Sequence, residues 1–201
     1  MVDAGIGRLL IASLHQSIAD VVPTRLPFYE NWLTPPGIRD FKFGLAPLHA
    51  TLSFLRLEGR AVYDQIMTRA GRYTGEWAYD ELSSVQRGFV RRLPAALRAR
   101  CVLHLSRRMI KQTFRGSKAR VRARKGRATV DIRASIFCAV RETAAWPMCV
   151  FYSAAIARFL ERFDIDAAVD VSHCRASGGP GCTMAVTIRG QRATEPATEA
   201  A

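Results

Sequence analysis

Three of the five cysteines in this chain stand where thiolates can converge. Cys149 follows Trp146-Pro-Met at the start of an apolar helical pattern. Cys174 and Cys182 flank a Gly-Gly-Pro-Gly run at 178–181, which reads as a tight turn between two strands. The ends of facing strands lie together, so the two sulfurs are expected to be close. Thiolate sulfur is a strong zinc ligand, with bonds of about 2.3 Å, and three such sulfurs supply most of a tetrahedral site. The same residues also fit two plainer readings, as small buried apolar side chains or as a Cys174–Cys182 disulfide. At a helix N-terminus, Cys149 is expected to carry a lowered thiol pKa.

A second set of residues suits a different task. Trp77, Phe137, Trp146, Phe151 and Tyr152 are large apolar or amphipathic side chains around the Cys149 helix. They are candidates for the wall of a concave site that takes a flat hydrophobic molecule. Trp146 and Tyr152 each carry a polar tip that needs a partner when buried and can orient a ligand oxygen. Catalytic signals are sparse. His15, His49, His104 and His173 are scattered, and the sequence has no Gly-x-Ser-x-Gly elbow, no Gly-x-Gly-x-x-Gly fingerprint and no paired-carboxylate motif.

The elements that must position these residues follow from periodicity. Leu9, Leu10, Leu14, Ile18, Val21 and Val22 recur at helical spacing over residues 6–22, ahead of Pro23, and their stripe suits either the core or a dimer seam. Residues 23–47 are rich in aromatics and proline and read as an irregular wrap. Helices are expected over about 47–57 and from Gly59 to about Tyr79, then from Leu93 to Arg100 and from Val102 to Phe114. From Lys118 the period falls to two. Ala119, Val121 and Ala123 alternate with basic residues. After Lys125-Gly126, Ala128, Val130, Ile132, Ala134 and Ile136 alternate with polar ones, which predicts a hairpin with a two-residue turn. A helix over about 149–163 and strands over about 167–174 and 182–189 complete an α+β domain, with helices on one face of a small antiparallel sheet. The chain divides into an N-terminal helix and wrap (1–46), a ligand-binding domain (47–189) and a tail (190–201) without periodicity.

At 201 residues the chain is long enough to bury a full core. The formal charge of +13 is concentrated: residues 87–133 hold 16 Lys or Arg against one acid, Asp131. Alternation sets Arg120, Arg122, Arg124, Arg127 and Arg133 on one face of the hairpin. That ladder suits weak, sequence-blind binding of a polyanion such as nucleic acid or anionic lipid, and equally suits solubility. The N-terminus lacks the basic and apolar regions of a signal peptide. The longest apolar run, 144–157, is shorter than the roughly 20 residues of a spanning helix. A cytoplasmic protein with reduced cysteines is the expectation.

The order Pro-Met-Cys149, a helix of small and aromatic residues, and Cys174 followed by Ala176, Gly178 and Cys182 resembles the end of the vinyl-reductase-type (hydrocarbon-binding) domain. The run from Gly59 to Gly71 is similar to an earlier helix of that family. The resemblance implies the fold of the transport-protein-particle subunits, often paired as dimers. It also implies non-enzymatic binding of a hydrophobic aromatic or tetrapyrrole molecule, as in bacteriochlorophyll-biosynthesis accessory proteins and aromatic-sensing regions. In the sensing members zinc is held by cysteines matching Cys149, Cys174 and Cys182 and by a glutamate three residues before the middle cysteine. That position is Val171 here, so the fourth ligand is missing from the pattern. Asp170 can reach the site only from a bulged strand, and His173 should point away from Cys174. The cysteine pattern also resembles the aminothiazoline-carboxylate hydrolase family, which would make Cys149 or Cys174 a reactive thiol.

Overall fold

A computed structural model describes residues 5–33, 44–124, 126–139 and 143–191. Parts of the proline-rich wrap and nearly all of the tail therefore lie outside the described residues. Helix α1 (Arg8–Val21) leads into a 3-10 turn (Pro23–Arg25) and the short α2 (Leu26–Glu30). Four helices follow: α3 (Leu45–Leu57), α4 (Arg60–Asp80), α5 (Ser84–Arg92) and α6 (Ala95–Thr113). The hairpin β1 (Lys118–Arg124) and β2 (Arg127–Arg133) comes next, then α7 (Val150–Glu161), β3 (Ile165–His173) and β4 (Cys182–Gln191). The expected α+β class is what the chain adopts.

The sheet is antiparallel throughout, in the order β1-β2-β4-β3. Its hairpin has the register that alternation requires, from Lys118 opposite Arg133 to Arg124 opposite Arg127. Ala128, Val130 and Ile132 of β2 and Met184 and Val186 of β4 are buried, and the arginine ladder is exposed. Strand β2 ends at Arg133, short of the expected Ile136, because Ala134 takes a left-handed conformation with φ 54° and turns the chain into a 3-10 turn, Ile136–Cys138. That turn delivers Cys138 to the site.

Sequence periodicity split 93–114 into two segments, but the chain forms the single helix α6, with Pro94 as its N-cap. The preceding α5 is opened by a capping box, in which Ser83 Oγ accepts from Gln86 N–H and the Gln86 side chain accepts from Ser83 N–H. The apolar stripe of α1 is core: Leu10, Ile11, Leu14 and Ile18 are fully buried in the same chain. Burial of each such side chain contributes at most about 1.5–3 kcal/mol.

Helices α4 and α7 approach each other closely beneath the site. A Cβ built on Gly71 would lie 2.3 Å from the Phe151 carbonyl oxygen, and one on Gly75 would lie 2.5 Å from that of Ala155. Glycine at both positions lets the backbones meet, which fixes α7 and hence the residue at its N-terminus.

Candidate metal centre

Four buried cysteines converge where the ends of these elements meet. Cys138 comes from the turn after β2, and Cys149 is the N-cap of α7. Cys174 follows the last residue of β3, and Cys182 opens β4, opposite Ile132. All four sulfurs lie within 4.8 Å of one another. Cys138 Sγ is 3.0 Å from Cys149 Sγ, 3.3 Å from Cys182 Sγ and 3.4 Å from Cys174 Sγ, and Cys149 and Cys174 are 3.6 Å apart. Four Zn–S bonds of about 2.3 Å in a tetrahedron require sulfurs about 3.8 Å apart, so the set needs only a slight expansion to hold a metal. All five cysteines are free, and Cys101 is half-buried on α6, outside the cluster. The free thiols at 174 and 182 leave the disulfide reading without support.

The fourth sulfur that could serve as a donor is therefore that of Cys138, which sequence reasoning passed over. Asp170 is exposed on β3 opposite Ala185, although the strand does have an irregularity between Val171 and His173. His173 is exposed while Cys174 is buried, as alternation predicts. A signal for Cys138 existed in the apolar run Ile136-Phe-Cys138, but only the break at Ala134 shows that this run leaves the sheet.

The thiols strongly perturb one another. Contacts from Cys138, Cys149 and Cys182 hold Cys174 far below the usual thiol range, aided by the Met148 N–H that donates to its sulfur at 3.3 Å. Contacts from Cys138 and Cys149 lower Cys182 to about 7. Cys149 is pushed up rather than down, by its contacts with Cys138, Cys174 and Cys182 and by burial. The helix N-terminus alone would have lowered it, but sulfur neighbours and desolvation outweigh that effect. Ser135 Oγ lies 3.7 Å from Cys149 Sγ. Among the described residues the bonds of the Cys149 and Cys174 sulfurs run to thiols, Ser135 Oγ and the Met148 N–H, and none runs to an imidazole that would serve a nucleophile as base. The arrangement suits metal binding: an all-sulfur tetrahedral set is the chemistry of zinc or of thiolate-bound iron.

The aromatic candidates are placed differently. Phe137, Phe151 and Tyr152 are fully buried and pack on one another with ring centroids 4.7–5.5 Å apart. Tyr152 Oη lies 3.3 Å from Ser117 Oγ. Trp77 instead stacks on Tyr73 at 5.3 Å. Trp146 is half-buried, and its indole nitrogen is buried without a hydrogen-bond partner among the described residues. Beside the thiols, Leu45, His49, Phe114, Ile136, Cys138 and Arg175 line part of a cleft of about 500 Å³. His49 Nε2 is buried there with no partner among the described residues. On the hairpin, Arg122 is held by Asp131, whose other oxygen accepts from Thr183 Oγ1 at 2.9 Å.

No family model and no curated protein matches the sequence. Solved structures do share its fold. An H-NOX protein from S. oneidensis in the Fe(II)NO ligation state is 8% identical, with a TM-score of 0.57 over 92% of this chain and 100% of that one. A triple mutant of an S. oneidensis H-NOX protein in the Fe(II) state is 9% identical, with a TM-score of 0.54 over 94% of this chain and 100% of that one. At such identities the shared property is the fold: helices packed with a four-stranded antiparallel sheet.

Proposed function

We propose that this chain is a non-enzymatic small-molecule-binding domain whose sheet end is tied by one zinc ion on Cys138, Cys149, Cys174 and Cys182. The observation that carries this reading is the convergence of four buried, reduced thiols from four chain segments. A buried thiol cluster without a metal leaves polarisable, protonatable groups with only one another as partners. A divalent cation replaces their protons and stabilises the folded arrangement. The first ligand reading is a hydrophobic aromatic or tetrapyrrole molecule, bound in the cleft beside Cys138. His49 Nε2, which has no partner among the described residues, supplies a polar contact there for a ligand hydroxyl, and Phe114, Leu45 and Ile136 supply apolar walls.

The iron named for the H-NOX neighbours raises a separate question, since the donor set of the cluster is all sulfur and His49 brings an imidazole to the cleft. A ferrous porphyrin therefore belongs in the ligand panel beside phenols, polycyclic aromatics and metal-free porphyrins. The deciding experiment is metal analysis and thiol titration of full-length protein prepared without chelator. One zinc per chain, with Cys101 reacting and the other four thiols protected, is the expected result. Absence of metal with all five thiols titrating freely would overturn the zinc assignment. Failure of the whole panel to quench tryptophan fluorescence would overturn the ligand assignment.

A further inference from the structure

At the turn end of the hairpin a second cleft, of about 510 Å³, opens between the first turns of α6 and the sheet. It exists because the facing side chains are small. Ala96 and Ala99 of α6 lie across from Ala123 of β1, with Leu103, Ile165 and Ile188 completing the apolar wall. Among the described residues four arginines also line it, Arg98, Arg100, Arg124 and Arg127, and no acid does.

Arg98 is the unusual member. It is only 8% exposed, and one terminal nitrogen donates to the Arg91 carbonyl at 3.2 Å, while its Nε is buried with no partner among the described residues. A guanidinium so enclosed is costly unless an acceptor satisfies it. The N-terminus of α6 adds to the same field, since its N-cap, Pro94, makes no side-chain cap bond.

We propose that this cleft binds a small amphiphile with a single carboxylate head and an apolar tail. The carboxylate accepts from Arg98, as the planar guanidinium favours, and the tail lies along the alanine and isoleucine wall. Arg124 and Arg127 at the hairpin end screen the head from solution. Among the described residues the site shares none with the thiol cluster or with the cleft beside it, so its test stands whether or not metal is bound.

The test is calorimetric titration of the full chain with decanoate, against decanol, acetate and inorganic phosphate. Decanoate is expected to saturate at one per chain, with decanol at least about tenfold weaker because it makes no charged hydrogen bond. Arg98→Met should weaken decanoate by about tenfold or more. Ala123→Phe, which fills the cleft and removes no charge, should abolish binding, and it keeps the test decisive if Arg98→Met fails to fold. Equal affinity for decanol, displacement of decanoate by an equal concentration of phosphate, or unchanged affinity in Ala123→Phe would each overturn the proposal.

Discussion

The sulfur of Cys138 lies 3.0 Å from that of Cys149, although one residue ends a 3-10 turn after a strand and the other caps a helix. The contact converts a three-cysteine motif into a complete donor set. Cys138→Ser is expected to lose the metal as fully as Cys149→Ser, while Cys101→Ser keeps it. The affinity loss should exceed about 100-fold, since even residues that only orient metal ligands are worth about 10–100-fold. Zinc content after dialysis against a weak chelator reads the difference, and retention of full metal by Cys138→Ser would refute the fourth-ligand assignment.

The approach of α4 to α7 gives a prediction whose sign is set by magnitude. In a helix interior Gly→Ala normally stabilises by about 1 kcal/mol. At Gly71 and Gly75 the added Cβ would meet carbonyl oxygens at 2.3 and 2.5 Å. Relieving such overlap costs about 1–3 kcal/mol or more, so Gly71→Ala and Gly75→Ala should each be net destabilising in denaturant melts. A stabilised variant would show that the helices are farther apart.

Ala134 has the opposite expectation. Its φ of 54° costs an L-residue roughly 1–2 kcal/mol, while glycine at that position adds only about 0.5–1 kcal/mol of unfolded-state entropy. Ala134→Gly should therefore raise stability by up to about 1 kcal/mol, seen as a higher Tm with unchanged metal content.

Asp131 links three strands through Arg122 of β1 and Thr183 of β4. Burial alone would raise its carboxyl, but the bonds from Arg122 and Thr183 outweigh it and hold the pKa below the usual carboxylate value. A depressed folded pKa means that the stabilisation is fully present above the unfolded value of about 3.9 and is lost as pH falls through the folded one. Asp131→Asn should cost about 1 kcal/mol or less at pH 7, given its partial exposure, and the gap from the parent should close in stronger acid. Arg122→Gln should cost little further in that background. Additive losses from the two changes, or a gap that widens in acid, would contradict the pairing.

The legible parts of this fold were those with clean periods. The hairpin register followed from alternation, and the α1 and α7 stripes followed from 3.6-residue spacing, because burial on one face leaves a direct pattern in residue type. Two kinds of feature left no such pattern. Ala134 carries no marker of its left-handed backbone, so alternation alone runs the strand on to Ile136 and leaves Cys138 unassigned. Trp77 and Phe151 are both apolar, and only three-dimensional packing separates a ring stacked on Tyr73 from one enclosed with Phe137 and Tyr152.

The strand order has a consequence for how the molecule assembles. β4 is the last of the described strands but occupies an interior position, and it joins β2, placing Cys182 opposite Ile132 across 50 residues of sequence. Closing so long a loop is entropically slow compared with forming the β1–β2 hairpin or the helices. During synthesis, Cys138, Cys149 and Cys174 emerge before the strand that brings the last sulfur. Until β4 inserts, β2 presents an open edge and the earlier thiols lack their enclosure. On the proposed zinc site, metal capture is coupled to the docking of β4, and zinc supplied during refolding should raise the yield of native chain more than zinc added after β4 has failed to dock.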